Sequence, residues 1–485
     1  MHSQIRIFSQ LVRDFLRPAA VVLPADTPLR SLVGRLATDK ASSALMVDEK
    51  GRLAGIVTEQ DVTRRIAFAC EGSEPASALM TRPVETVRAD DYLYLAIAKM
   101  RRFGWHHMPV VDADGKPCGL LGLHDTLAVA GEQTLRHIER IAHEGSLDGL
   151  REIKAAEVAL AEDLFRDSVP ATEVQAVLTG INRDIHRRVL EGAVKDMADE
   201  GLGKPPVAFA AIVMGSGGRG ESFLYPDQDN GLVLDDYPDE RHGEIDRFFI
   251  ELAERMTRRL DAVGFPLCKG YVMATNPLWR KTRGQWRQQI AAWGRKRNEA
   301  AAQLSDIFFD FRGFYGPATW VESLRETALA MAESSPAFLR ALADEATRHP
   351  VALGWFGRFV TEREQPEHKG KINLKHAGTL PLVSALRVLA LSQGVTEVST
   401  LGRIEVLARK GVLSAAEVAG LTHAVRTLTT LLLRQQLADF RAGRPVGTYL
   451  HPRQVTRRER EQLVDALKAV GALTRRMRFE FRGKL

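Results

Sequence analysis

The chain has 485 residues, with 67 Lys and Arg against 61 Asp and Glu and a formal net charge of +6. This length exceeds what one hydrophobic core usually supports, so two to four domains are expected. Three scattered cysteines, Cys70, Cys118 and Cys268, exclude a disulfide framework and a Cys-x-x-Cys metal site. No apolar stretch reaches transmembrane length and the first residues lack a signal-peptide pattern, so we expect a cytoplasmic protein without a membrane partner.

Residues 1–16 are predicted to form an N-terminal helix, after which the chain repeats itself at an offset of 64 residues. The matching pairs are Ala25 and Ala89, Asp26 and Asp90, Leu29 and Leu93, Val47 and Val111, Asp48 and Asp112, Gly51 and Gly115, Gly55 and Gly119, and Asp61 and Asp125. Each copy has the pattern strand, helix, strand, turn, strand, helix. A period this long indicates duplicated units that bury a shared face, so we predict one two-repeat module over residues 17–133.

Each copy ends in a short motif. Residues 55–61, Gly-Ile-Val-Thr-Glu-Gln-Asp, resemble the signature that closes a cystathionine-beta-synthase-type (CBS) repeat, and two such repeats normally form one Bateman module. The resemblance implies that Thr58 and Asp61 contact the ribose and phosphate of AMP or ATP, and that the module forms a homodimer. The second copy keeps Asp125 but has Gly122 in place of the hydroxyl, so at most one well-formed nucleotide site is expected. A purely structural or dimerising module is the alternative.

Residues 134–203 are predicted to be a helical connector, broken near Pro170, which can start a new helix. Helices and strands then alternate over residues 204–334, which indicates an α/β domain. Its predicted elements include a buried strand over residues 207–214, a helix over residues 243–263 ended by Gly264, and a strand over residues 266–274.

A glycine-rich turn and two carboxylates follow the first of these strands. Gly215 and Ser216 lie where the strand opens onto solvent, and small residues there let backbone N–H groups approach a phosphate. Asp227 and Asp229 are two residues apart, so in an extended segment both face one side and can bind hard divalent cations. Mg²⁺ bridging a nucleoside triphosphate fits, because it can activate an attacking oxygen and neutralise the leaving pyrophosphate. The combined pattern favours a nucleotidyl-transfer site over a structural turn.

Residues 306–312, Asp-Ile-Phe-Phe-Asp-Phe-Arg, are predicted to form a strand. Its alternation would place the apolar Ile307, Phe309 and Phe311 on one side. The other side would carry Asp306, Phe308, Asp310 and Arg312. The polar side could line a cleft, or the strand could be an edge strand whose carboxylate pairs with Arg312.

Gly-Ser-x-Gly-Arg-x-Glu followed by Asp-Gln-Asp-Asn resembles the nucleotidyltransferase domain related to the amino-terminal part of protein-PII uridylyltransferases, in the DNA polymerase beta-like superfamily. The resemblance implies a third metal carboxylate from a later strand, which the Phe-Phe-Asp-Phe-Arg pattern makes Asp310, with Asp306 as the alternative. It also implies that Gly215, Ser216 and Arg219 hold the triphosphate, that UTP or ATP is the donor, and that a protein hydroxyl is the acceptor. The metal phosphohydrolase and amino-acid-sensing modules of PII enzymes are not recognisable.

From residue 335 to residue 485 helical periodicity continues without a strand signal, with predicted helix ends at Gly394, Gly411, Gly420 and Gly443. Residues 374–387 and 432–436 resemble the helical C-terminal domain that accompanies this family. The positive excess in residues 457–484 favours a solvated helix face over a nucleic-acid surface. The expected fold class is α/β and α: a CBS pair, a helical connector, a polymerase-beta-like palm and an all-helical C-terminal domain.

The leading hypothesis is a magnesium-dependent nucleotidyltransferase in signal transduction, regulated by an adenine nucleotide at the CBS pair. A non-catalytic sensor whose carboxylates merely bind a metal–nucleotide is the second. An RNA 3′-end nucleotidyltransferase, the third, would need a basic stacking groove that the sequence does not reveal.

Overall fold

The computed structural model describes residues 11–66, 72–91, 93–103, 105–123, 146–166, 168–295 and 305–482. The chain forms two compact units, Met1–Glu144 and Gly145–Leu485. Within the described ranges, no helix is long and apolar enough to cross a membrane.

The first unit contains two three-stranded sheets of the same topology, in which the first strand pairs parallel and the third antiparallel with the second. The elements of the first repeat are β1 (Val22–Pro24), α1 (Leu29–Thr38), β2 (Ser43–Val47), β3 (Leu53–Thr58) and α2 (Glu59–Asp61). Those of the second are β4 (Val87–Arg88), α3 (Leu93–Phe103), β5 (His107–Val111) and β6 (Pro117–Gly122). Asp48 and Asp112 hold equivalent turns, where each Oδ1 accepts two backbone N–H bonds of 2.9 Å. The predicted duplication is confirmed, although Asp125 lies outside the described residues.

The second unit opens with α4 (Leu147–Arg166) and α5 (Ala171–Asp199), and Pro170 is the N-cap of α5. The elements of the region that follows are β7 (Phe209–Val213), α6 (Gly215–Arg219), β8 (Asn230–Leu234), α7 (His242–Val263), β9 (Arg280–Thr282), α8 (Arg283–Arg295) and β10 (Arg312–Tyr315). The four strands form one sheet in the order β10-β7-β8-β9, with β8 and β9 parallel and the other pairs antiparallel. This arrangement confirms an α/β domain.

Two predicted strands are wrong. Residues 266–274 form a loop, because only isolated backbone hydrogen bonds, such as the one from the Asn230 N–H to the Val272 carbonyl (3.0 Å), connect them to β8 and the segment before it. In the second segment a 3₁₀ turn, Phe308–Asp310, precedes β10. Both faces of that turn are buried, since it lies in the core shared by the sheet and the C-terminal helices.

The rest of the unit is mainly helical. Its elements are α9 (Ala318–Ser334), α10 (Pro336–Ala346), β11 (Ile372–Asn373), α11 (Leu380–Ser392), α12 (Thr400–Arg409), α13 (Ala415–Arg441), β12 (Tyr449–Leu450) and α14 (Arg457–Arg482). The antiparallel pair β11–β12 is an addition to the all-helical domain that was expected. One continuous core includes Ile212, Trp286, Phe308, Leu386 and Leu467, so the C-terminal helices are fixed against the sheet.

Candidate active site

The turn after β7 forms the centre of the candidate site. Met214 N–H donates to the Asp229 carbonyl over 2.8 Å and so ties the end of β7 to the segment before β8. Gly215 then adopts a left-handed φ of +58°, and a Cβ there would lie 2.8 Å from Asp229 Oδ2. Glycine is therefore required both for the backbone conformation and for the close approach of the carboxylate. The prediction that Gly215 and Ser216 follow a buried strand is confirmed.

Asp227 and Asp229 lie in an extended segment before β8. Between them Gln228 is fully buried, and its Nε2 donates to the carbonyls of Thr257 (3.1 Å) and Phe265 (2.9 Å). Because alternate residues of an extended segment face opposite sides, this anchor turns both carboxylates away from the core. Asp227 is exposed and Asp229 is half-buried, and no ion pair joins either of them to a described side chain.

The carboxyl group of Asp229 is hard to ionise. Burial is the main cause that raises the pKa of Asp229 to about 6, and the charge of Asp227 acts in the same direction. The hydrogen bond from the Cys268 thiol and the charges of Lys375 and Arg219 act in the opposite direction. A divalent cation would remove the cost of ionising both carboxylates.

The pair fits Mg²⁺, which typically binds through one or two carboxylates plus phosphate oxygens of a substrate. A larger protein-only site is not present among the described residues, where no three or more His, Cys, Asp or Glu side chains gather as metal ligands. Asp227, Asp229 and Asp310 therefore do not form the predicted three-carboxylate cluster.

Asp310 lies on the other side of the same turn. Val213, the last residue of β7, pairs with Asn230 of β8 and with Arg312 of β10, so Asp229 and Asp310 flank one strand end. Gly218 allows this packing, because a Cβ there would lie 1.6 Å from the Asp310 carbonyl oxygen.

Three arginines surround the fully buried Asp310 carboxylate. Arg219 Nη1 lies 2.6 Å and Arg387 Nη2 2.5 Å from Oδ2, while Arg387 Nε (3.1 Å) and Arg403 Nη2 (2.8 Å) donate to Oδ1. Burial alone would raise the pKa of Asp310, but the charges of Arg387, Arg403 and Arg219 outweigh it and hold that pKa well below its usual range. Both oxygens are taken by guanidinium groups, which is why Asp310 does not join the pair as a third metal ligand. The alternative, Asp306, also binds Arg387.

Arg219 is correspondingly not free for a triphosphate. Its side chain is 13% exposed and also binds Glu221, with Nε 2.7 Å from Oε2. The other oxygen of Glu221 accepts the Thr400 N–H over 2.6 Å. Arg219 therefore connects the glycine turn to the C-terminal helices.

A small pocket opens beside Asp227, with Thr179, Asn182, Arg183 and His186 of α5 in its wall. His186 Nδ1 donates to the Asn182 carbonyl (2.8 Å), which leaves Nε2 as an acceptor without a described partner. Burial lowers the pKa of His186 to about 4, so the ring is neutral at pH 7. Asn182 Nδ2 also lacks a described partner, so one buried donor and one buried acceptor lie on adjacent turns of α5.

In the first unit, Thr58 and Asp61 bind each other. Asp61 Oδ2 accepts from the Thr58 backbone N–H (2.9 Å) and hydroxyl (2.8 Å), which forms a capping box at the start of α2. Arg65 Nη1 lies 3.6 Å from Asp61 Oδ1. The two predicted residues are thus adjacent, and their contact with a nucleotide stays a prediction.

Sequence reasoning missed Gln228, Lys375, Arg387 and Arg403. One signal was available, because Arg387 is the only charged residue of the apolar helix α11, and a lone charge in a buried helix requires a partner. Its partner, Asp310, is 77 residues away, which no local pattern reveals.

A mixed sheet whose inner strand ends in a glycine turn, followed by an extended segment with two carboxylates, defines a nucleotidyltransferase-like domain. Comparison with family models agrees. Residues 156–300 match "Putative nucleotidyltransferase DUF294", residues 336–481 match "Putative nucleotidyltransferase substrate binding domain", and residues 12–68 and 76–132 match "CBS domain". The chain therefore joins a CBS pair to a nucleotidyltransferase domain of this family and its C-terminal domain.

Parts of the chain are also similar to individual proteins. CBS domain-containing protein CBSCBSPB3 of Arabidopsis thaliana is 30% identical over 131 residues, which are 26% of this chain and 22% of that protein. Uncharacterized protein MK0525 of Methanopyrus kandleri is 34% identical over 91 residues, 18% of this chain and 45% of that protein. The chain thus spans less than half of the length of these two relatives. Among solved structures, the CBS domain protein PAE2072 from Pyrobaculum aerophilum complexed with AMP is 25% identical with a TM-score of 0.24, and the match covers 27% of this chain and 98% of that one.

Proposed function

We propose that this protein is a magnesium-dependent nucleotidyltransferase that uses UTP or ATP as the donor, and that an adenine nucleotide at the CBS pair regulates it. The observation that carries the proposal is the Asp227–Asp229 pair against Gly215, where two carboxylates without an ion-pair partner in the described chain follow a glycine turn. The family match of residues 156–300 supports the same class of reaction.

In this reaction an acceptor hydroxyl oxygen attacks the α-phosphorus of the triphosphate. The bond from that phosphorus to the oxygen bridging to the β-phosphate breaks, pyrophosphate leaves, and the hydroxyl proton passes to water. Asp227 and Asp229 would hold Mg²⁺, which supplies charge neutralisation when bound.

Other residues of the chain would orient the donor. Gly215 and Ser216 let backbone N–H groups approach phosphate oxygens. Lys375 is exposed and near enough to Asp229 to lower the pKa of that carboxyl group, so it adds positive charge at the open side. Arg219 positions the turn through Glu221 and Asp310.

For the CBS pair, we propose an adenine-nucleotide site at Thr58 and Asp61 and a homodimer formed by this module. A hydroxyl and a carboxylate suit ribose hydroxyls, and the neighbouring Arg65 guanidinium suits a phosphate.

The test is transfer of label from each α-³²P-labelled triphosphate by the purified full chain with Mg²⁺, using total protein and total RNA from a cell extract as acceptors. We expect magnesium-dependent transfer that Asp229→Asn lowers by about 100-fold or more. Asp239→Asn, at an exposed aspartate beyond the far end of β8, is the matched control and should retain transfer. Magnesium-dependent binding without transfer to either acceptor would indicate a non-catalytic sensor, and no such binding would contradict the proposal.

A further inference from the structure

A hairpin in the C-terminal domain presents two aromatic side chains to solvent. Leu353 and Phe359 form its antiparallel bridge, and Trp355 and Phe356 at its tip are 86% and 97% exposed. Phe356 has a left-handed φ of +57°, which costs a non-glycine residue roughly 1–2 kcal/mol. The tip therefore holds two large rings outward in a strained turn, although such rings are ordinarily buried.

The hairpin packs against a segment rich in arginine. The Arg460 guanidinium lies over the Phe359 ring at 5.0 Å, and a Cβ on Gly357 would lie 3.7 Å from a Val464 methyl group. Residues 451–460, which lead into α14, contain four arginines and one glutamate. The aromatic tip and these arginines thus belong to one surface.

Most of this positive charge is available to a ligand. The single glutamate, Glu459, is bound by Arg434 and caps the start of α14 through the Thr456 N–H (2.8 Å). In the hairpin and in residues 451–460, the exposed arginines without an ion-pair partner among the described residues are Arg358, Arg453, Arg458 and Arg460.

The charge of the whole chain is also distributed unevenly. Residues 336–485 contain 25 Lys and Arg against 13 Asp and Glu, a net charge of +12, and 19 of these bases are arginine. Residues 1–335 contain 42 bases against 48 acids, a net charge of −6. An anionic partner would therefore be attracted to the C-terminal domain rather than to the rest of the protein.

A short segment joins this surface to the candidate active site. Ala352 N–H, at the base of the hairpin, donates to the Ala377 carbonyl over 3.0 Å. Ala377 lies in the turn Lys375–Thr379 that leads into α11, and Arg387 of α11 binds Asp310 beside the glycine turn. The base of the hairpin is thus hydrogen-bonded to the segment that leads into α11, the helix anchored at the candidate site.

We propose that the aromatic–arginine surface, formed by Trp355, Phe356, Arg358, Arg453, Arg458 and Arg460, binds single-stranded nucleic acid whose ribose hydroxyl is the acceptor. Unpaired bases stack on exposed rings, and arginine both binds phosphate bidentately and stacks. An acidic protein would pair with the arginines but has no requirement for two solvated rings. The transfer step rests on the proposed function: the ribose oxygen bonds to the α-phosphorus, pyrophosphate leaves, the proton passes to water, and the strand gains one nucleotide.

Binding is measured by fluorescence anisotropy of a fluorescein-labelled, mixed-sequence 20-nucleotide single-stranded RNA with the full chain at 50–200 mM KCl. Trp355→Ala and Phe356→Ala should each weaken binding about 5- to 150-fold, which corresponds to roughly 1–3 kcal/mol of stacking. The Arg453→Ala/Arg458→Ala double variant should reduce the slope of log affinity against log salt by about 1.4. Phe479→Ala and Arg409→Ala, at exposed positions outside the surface, are the matched controls and should bind like the wild type.

The melting temperatures of all these variants should be unchanged, because the altered side chains are exposed. The proposal would be overturned if the Trp355→Ala and Phe356→Ala variants bound RNA with wild-type affinity. It would also be overturned if poly-L-glutamate displaced RNA equally well from the wild type and from these variants, because that result would indicate a surface for an acidic protein. RNA binding is measured without metal or triphosphate, so its outcome is independent of the proposed function. If the proposed function is wrong, magnesium-dependent triphosphate binding is absent and RNA binding is still observed. Label transfer to the RNA, lost in the tip variants at unchanged triphosphate affinity, is the result expected if both hold.

Discussion

Asp229 and Asp310 flank the end of the same strand, and their surroundings are opposite. Asp229 is half-buried beside the exposed Asp227 and has no ion pair to a described side chain, and burial raises its pKa to about 6. Asp310 is fully buried, and Arg219, Arg387 and Arg403 hold its pKa well below the usual range. A buried carboxylate stays ionised where the protein supplies matching cations, and it favours an added cation where the protein does not.

The two sides of β7 consequently have different roles. The Asp310 side joins the sheet to α11 and α12, which carry Arg387 and Arg403. The Asp229 side remains open to a ligand.

The strongest test is to neutralise each aspartate in turn. Asp310→Asn should lower the free energy of unfolding by about 3–5 kcal/mol, because it leaves three buried arginines without their shared anion. Asp229→Asn should leave that free energy unchanged or slightly higher, since it removes a carboxylate that is costly to ionise. Urea denaturation of the full chain at pH 7 measures both, and a loss below 1 kcal/mol for Asp310→Asn would show that the arginine cluster is not a stabilising element.

The second test concerns pH. The pKa of His186 is lowered by burial to about 4, so between pH 6.5 and pH 4 the unfolded chain binds a proton that the folded chain does not. Stability from this group is therefore complete above pH 6.5 and falls as the pH decreases, by about 2 kcal/mol at pH 5. Urea denaturation of wild type and His186→Gln at pH 7 and pH 5 should show a smaller pH effect in the variant. The same pH effect in both proteins would contradict the neutral, buried state of His186.

The third test separates backbone strain from the approach of Asp229. Gly215 and Gly220 both have positive φ, but only a Cβ at Gly215 would meet Asp229 Oδ2, whereas a Cβ at Gly220 would meet nothing within 4 Å. Backbone strain should cost each of Gly215→Ala and Gly220→Ala roughly 1–2 kcal/mol of stability, and the contact with Asp229 Oδ2 adds to that cost at Gly215. Calorimetry should show weaker magnesium-dependent triphosphate binding only for Gly215→Ala. Equal binding by the two variants would place the triphosphate elsewhere.

A third aspartate, Asp61 of the CBS pair, has another kind of surroundings, because its carboxylate accepts hydrogen bonds from Thr58 and caps the start of α2. Asp61→Ala should cost about 1 kcal/mol through the lost cap. AMP should raise the melting temperature of the wild-type full chain by mass action, and Asp61→Ala should lose most of this shift. Asp48→Ala, which removes turn hydrogen bonds in the same repeat, is the control and should keep the shift. No AMP effect on the wild type would make the CBS pair a structural or dimerising module.

Local sequence predicts most of the helix ends at glycine correctly, but not all of them. Gly264, Gly394, Gly411 and Gly443 all adopt positive φ just after a helix, as predicted. Gly420 was predicted to end a helix and instead lies inside α13. It packs against α14, where its Cβ would be 3.5 Å from that of Ala469, so tertiary packing outweighs the local preference of glycine.

Sequence patterns alone were sufficient to predict the duplicated CBS units, the strand β7, the helix α7, and the glycine turn with its Asp-x-Asp segment. These features depend on local periodicity, on backbone freedom at glycine and on residues close in the chain. Contacts between distant parts of the chain determine that Asp310 binds arginines 77 and 93 residues away, that the turn Phe308–Asp310 is buried on both faces, and that Trp355 and Phe356 project into solvent. The charge and burial around a side chain are set by residues distant in sequence, so a carboxylate in a familiar motif becomes a ligand position or an ion-pair partner only when the chain has folded.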